Sequence, residues 1–182
     1  MLSTSQAFID VLHADRPAPD SADKLALYGF LVGSWEMEVA AFEPDGARHT
    51  GRGEIHAGWV LEGRAIQDVW MIPPRAERRE GAPALPVAGN WYGTTLRIYD
   101  PRIDAWHILW SDPATQFYAR QIGRAEGSDI VQMGKLESGA MLRWRFTDIT
   151  GEAFHWIGEH SADDGKSWRL QVDILARRLP PA

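Results

Sequence analysis

Three residues stand out as groups able to move a proton in apolar surroundings: Asp68, His107 and His155. In the segment 64–72, Arg64, Ile66, Asp68, Trp70 and Ile72 fall on one face of an alternating pattern, with Ala65, Gln67, Val69 and Met71 on the other. If the first face points inward, a carboxylate stands beside Trp70 and can serve as a general acid or base. The competing role is an ion pair with Arg64, Arg143 or Arg145. His107 lies between Trp106 and Ile108. Turned inward it protonates or orients a ligand; turned outward it leaves the tryptophans inside. His155, between Phe154 and Trp156, is the third candidate.

The residues able to wall a ligand cavity are Trp70, Trp110, Trp144, Phe154 and Trp156, with core packing as the competing role for each. Arg143 and Arg145 alternate with Leu142, Trp144 and Phe146. With the apolar set inward the arginines form a solvated stripe; with the parity reversed, Arg143 anchors a ligand carboxylate. Metal chemistry has little support. The six histidines include no HxH or HExxH motif. His155 and Glu159 share a strand face but lie about 13 Å apart, at about 3.3 Å per residue. Neither a metal nor a cofactor is expected.

The chain has 182 residues, nine of them tryptophan, and a formal net charge of −6. An acidic surface repels phosphate backbones, so nucleic acid is not an expected partner. The nearest basic cluster, Arg75, Arg78 and Arg79, is interleaved with Glu77 and Glu80 and reads as a solvated loop. There is no cysteine, which excludes disulfides and thiolate chemistry. The N-terminal stretch has no basic lead and carries Asp10 within its apolar run. No apolar run reaches the roughly 20 residues that span a bilayer. The expected address is the cytoplasm, with no membrane partner.

The elements that position these residues follow from periodicity. Residues 5–12 and 24–30 read as short helices, the second with Ser21 as N-cap, and 1–30 as a lid or plug. From Leu31 the period becomes two: Trp35, Met37, Val39 and Ala41 alternate with Glu36, Glu38 and Ala40. Glu43-Pro44-Asp45-Gly46 is a turn, and the segment 48–59 pairs back, with Gly51, Gly53 and Gly58 suited to a bulge or a sharp strand bend. Leu61-Glu62-Gly63 turns again. The segment 73–90 is one long proline-rich loop and a candidate flap over a barrel mouth. Further strands are expected at 93–99, 105–111, 116–124, 128–136, 141–149, 153–161 and 167–178. That gives about ten strands joined by tight turns. Tyr99-Asp100-Pro101 with Trp106, and the run from Ser161 to Trp168, look like propeller-blade turns. Each occurs once, so both read as independent hairpin turns. In the last strand Trp168, Leu170, Val172, Ile174 and Ala176 alternate with polar residues, matching the first strand. Pairing of the two would close a barrel over residues 31–182.

Leu31-Val32-Gly33-Ser34-Trp35 stands at the start of the first strand, after a short helix. This G-x-W arrangement resembles the opening of the calycins, the superfamily of lipocalins and fatty-acid-binding proteins. The resemblance implies that Trp35 closes the barrel floor and that Arg178, with Arg177 beside it, packs across that Trp from the last strand. Leu61-Glu62-Gly63-Arg64, Tyr99-Asp100-Pro101 with Trp106, Trp144-x-Phe146 and the turn at 161–168 are similar to a bacterial calycin-like family of unknown function. The implied fold is mainly β: a closed antiparallel calycin-like barrel of about ten strands with short N-terminal helices. Nitrobindin-like haem calycins are related, but Glu36-Met37-Glu38-Val39 stands where their glycine pattern follows the Trp, so haem is not expected.

Three functions compete. The first is a protein that binds a small apolar or aromatic molecule. The second is a cofactor-independent enzyme (isomerase, cyclase or lyase) using the cavity, with Asp68, His107 or His155 as proton carrier. The third is an interaction module with a filled core. The segments 64–72 and 105–111 are apolar on both faces in places, as Leu109, Val69 and Met71 show, which fits a homodimer interface.

Overall fold

The computed structural model describes residues 4–78 and 90–180. Most of the loop expected as a flap, 79–89, lies outside the described residues. The elements are α1 (Thr4–Leu12), β1 (His13–Ala14), α2 (Ala22–Gly29), β2 (Gly33–Phe42), β3 (Arg48–Val60), β4 (Ala65–Ile72), β5 (Trp91–Asp100), β6 (Ala105–Asp112), β7 (Phe117–Glu126), β8 (Asp129–Lys135), β9 (Met141–Thr147), β10 (Ala153–Ser161) and β11 (Arg169–Arg178). Each strand from β2 to β11 pairs antiparallel with the next, and β11 returns to β2, with Ile174 opposite Val39. The result is a closed ten-strand barrel. β1 pairs with the end of β3 that lies beyond β2, His13 opposite Val60 and Ala14 opposite Trp59. Closure removes the free edges that an open sheet of this length would expose.

Period-two alternation decides which side chains go inside. Trp35, Met37, Val39 and Ala41 are buried, while Glu36 and Glu38 are exposed. The turns follow local chemistry. Gly46 donates to the Glu43 carbonyl, and the Asp45 carboxylate accepts from the Ala47 amide. At 161–168 the Asp163 carboxylate accepts from the Ser161 hydroxyl and from the Ser167 amide, at 2.7 and 2.9 Å.

One end of the barrel is filled. Leu25, Tyr28 and Leu31 bring α2 and its exit into the core with almost no exposed surface. Tyr28 meets Trp106 edge-on at 4.9 Å, Phe30 meets Phe154 at 5.6 Å, and Trp35 meets Phe154 at 4.8 Å. Arg178 lies over Trp35 with its guanidinium carbon 4.1 Å from the ring centre. Gly33, at φ +128°, makes this approach possible, since a methyl group there would sit 2.5 Å from Arg178 Nη1. Helix α1 behaves differently from α2: Phe8 and Val11 are 64% and 77% exposed. Ser21 precedes α2 but makes no side-chain capping bond; its hydroxyl bonds Asp20 instead.

Two features depart from the sequence reading. The register of β3 runs unbroken through Gly51, Gly53 and Gly58, so none of them forms a bulge. The irregularity lies where β10 meets β11: Gly158 pairs with Val172 but Glu159 with Leu170, leaving Gln171 extra. A bulge reverses the inside–outside parity beyond it. Trp168 and Leu170 therefore do not continue the inward set of Val172, Ile174 and Ala176. Arg169 and Gln171 reach the interior instead.

Candidate functional site

The other end of the barrel carries the turns at 43–46 and 113–116. There the interior opens into a cavity of about 270 Å³. Five tryptophans line it: Trp70 from β4, Trp91 from β5, Trp110 from β6, Trp144 from β9 and Trp156 from β10. Four close a ring of edge and tilted contacts. Trp91 and Trp110 have centroids 6.0 Å apart, Trp110 and Trp144 6.3 Å, Trp144 and Trp156 5.6 Å, and Trp156 and Trp91 6.1 Å. Trp70 leans on Trp156 at 5.6 Å. Each indole points inward by the parity of its strand. Gly93 leaves room for one of them, since a methyl group there would sit 2.5 Å from the Trp110 ring.

Beneath the indoles sits a polar layer. Asp68 is fully buried and ion-paired with Arg97, and its second oxygen accepts from the Thr95 amide at 3.0 Å. Thr95 and Arg97 line the cavity floor. The Arg97 guanidinium also lies 5.4 Å from the Tyr28 ring centre, so it joins the cavity to the filled end. Arg97 Nε and Trp70 Nε1 are buried donors without partners among the described residues. Toward the mouth, Asp112 is 1% exposed. Its Oδ1 accepts from the amides of Ala114 and Thr115, and its Oδ2 has no partner among the described residues. Arg169 at the rim donates to the Phe42 carbonyl.

The structure sorts the sequence candidates. Trp70, Trp110, Trp144 and Trp156 meet at the cavity. Phe154 is interior but packs against Trp35 and Phe146 at the filled end. Asp68 is interior, and its cation is Arg97, not Arg64, Arg143 or Arg145. His107, His155 and Arg143 project from the outer face of the wall, because Trp106, Phe154 and Trp144 beside them take the inward positions. His107 Nε2 lies 3.1 Å from Asp100 Oδ2. Hydrogen bonds from the Arg102 side chain, then from its amide, and then from His107 hold the Asp100 carboxyl well below the usual carboxylate range. His155 Nε2 lies 2.8 Å from Asp173. Arg143 grips Glu159 through two bonds of 2.7 and 2.9 Å and lies over Trp168 at 4.2 Å. The Arg143 bonds, with Arg145 adding to them, lower the Glu159 carboxyl below its ordinary value. Among the described residues, no group of three or more His, Asp or Glu could hold a metal ion, and no helix is long and apolar enough to cross a membrane.

Sequence reasoning missed Trp91, Arg97 and Asp112. Trp91 was legible as a strand residue, since it shares parity with Gly93 and Thr95. Arg97 was hidden because its neighbours Leu96 and Ile98 look like the inward pair.

No family model matches the chain, and no curated protein matches it. Solved structures do. The crystal structure of Rv2717c from M. tuberculosis superposes with a TM-score of 0.58 at 13% identity, over 90% of this chain and 99% of that one. The S-type phycobiliprotein lyase CPES from Guillardia theta superposes with a TM-score of 0.56 at 11% identity, over 86% and 93%. At such identities the likeness concerns the fold, and with the closed ten-strand wall it supports a calycin-like barrel.

Proposed function

We propose that this protein binds a small, largely apolar or aromatic molecule in the tryptophan-lined end of the barrel. The observation that carries this reading is the ring of Trp91, Trp110, Trp144 and Trp156 around an unfilled space, in a barrel whose other end is plugged by Leu25, Tyr28 and Leu31. A mere core would close over its own aromatics, because unfilled volume forfeits dispersion contacts. A pocket that is mostly apolar, with a few polar groups at its floor and rim, suits a small ligand. The likeness to CPES adds that this barrel shape occurs in a protein named as a phycobiliprotein lyase. Binding is favoured over catalysis by Asp68 or His107. The first is held by Arg97 and the second faces away from the cavity.

The test is native mass spectrometry of protein isolated from its own cells. The expected spectrum shows a bound small molecule that leaves on denaturation. An empty protein that also fails to take up neutral aromatic probes would overturn the reading.

A homodimer and a cytoplasmic address belong to the same proposal. The dimer is supported by a row of apolar side chains on the outer wall, where Ile98 flanks His107, and Ile122 pairs on to Met133, with Leu109 37% exposed beside them.

A further inference from the structure

We propose that the molecule held in this cavity is an organic cation, a protonated or quaternary amine on a flat apolar body, whose charge is met by Asp112 Oδ2 and the surrounding indole faces. This deepens the binding reading above and rests on it.

Asp112 sits on the inward face of β6, two residues after Trp110, and lines the cavity. One of its oxygens is used locally, to accept from the Ala114 and Thr115 amides at 2.8 and 3.2 Å. An asparagine or serine would serve that turn without burying a charge. The other oxygen, Oδ2, is buried and has no donor among the described residues. Among the described residues no basic side chain lies within ion-pair distance of it: the salt bridge of Arg97, which also lines the cavity, goes to Asp68. A carboxylate held in apolar surroundings without a cation is costly, and the cost is relieved when a ligand supplies the cation.

The walls favour the same class of ligand. Indole faces are negative and attract a cation within about 6 Å of the ring centre, and recognition of alkylammonium groups by aromatic cages uses this attraction. Four indoles in ring contact line one small volume. The alternative, an anionic ligand, needs a free buried cation. Arg97 shares its charge with Asp68, which leaves only its Nε–H as a buried donor without a partner among the described residues, and Arg169 stands at the rim, bonded to the Phe42 carbonyl.

The test uses three probes that share one aromatic body: naphthylmethylammonium, naphthylmethanol and naphthoate. Each is titrated by calorimetry at neutral pH into the full chain. The cation should bind at least about tenfold tighter than the alcohol, with naphthoate weakest. Asp112→Asn keeps an oxygen for the two turn amides. It should bring the cation down to the affinity of the alcohol and change the alcohol itself by less than about twofold. If the wild-type protein binds the alcohol or naphthoate as tightly as the cation, the cation assignment is wrong and the apolar-cavity reading stands. If none of the three binds at millimolar concentration, both fall. Should Asp112→Asn fail to fold, the order of the three probes on the wild-type chain decides alone.

Discussion

Arg178, in β11, lies across the indole of Trp35, in β2, and also donates to the carbonyls of Phe30 and Val32 at 2.7 and 2.9 Å. One guanidinium thus ties the closing seam of the barrel to the segment leaving α2. Arg178→Ala removes the cation–π contact and strands those carbonyls, and should cost about 2–3 kcal/mol in urea unfolding. Arg178→Lys should recover less than half, because an ammonium cannot fork between two acceptors while lying flat on a ring.

The Asp68–Arg97 pair is buried inside the barrel, with Arg97 at the cavity floor. Asp68→Asn leaves a buried guanidinium without its counter-charge and should destabilise the fold by about 3–5 kcal/mol. Replacing both partners together, Asp68→Leu with Arg97→Met, should cost far less than the single change. Urea midpoints of the two variants against the wild-type chain measure this directly. Equal losses in the single and double variants would show that the pair is not the source of the cost.

The Asp163 carboxyl is lowered to about 2 by hydrogen bonds from the Ser167 amide, the Ser161 hydroxyl and the Ser167 hydroxyl, in that order. A depressed folded-state value gives stability that is fully present above the ordinary aspartate value of 3.8 and is lost as pH falls through about 2. The Ser167 amide proton resonance should therefore titrate with a midpoint near 2, and Asp163→Asn should abolish that titration.

Much of the fold was legible because one face of most strands is apolar and the other polar. Trp35 to Ala41 shows this, and so do the G-x-W opening and the turn at 161–168. The site was less legible for two physical reasons. The outer wall of β4 to β8 carries Val69, Leu96, Ile98 and Leu109, so parity there carries no information about which side is inside. This hid Arg97 and left the face of Asp68 open. The bulge at Gln171 then inverts the last strand's alternation, which turned Trp168 outward and brought Arg169 to the cavity. Nothing in the local sequence near Gln171 marks that bulge, because it is set by the pairing with β10.

The outer apolar row gives a separate prediction. Sedimentation equilibrium at micromolar concentration should show a dimer, and Leu109→Lys should shift it to monomer without lowering the unfolding midpoint. A single monomeric species in the wild-type protein would remove the dimer from the proposal.

The most direct test of the binding site follows the indole N–H resonances of the nine tryptophans during titration with naphthylmethylammonium and naphthylmethanol. The expected result is that Trp70, Trp91, Trp110, Trp144 and Trp156 shift, while Trp35, Trp59, Trp106 and Trp168, which do not line the cavity, stay in place. Shifts confined to the second group, or no shift at all at saturating probe, would contradict a ligand site in the open end of the barrel.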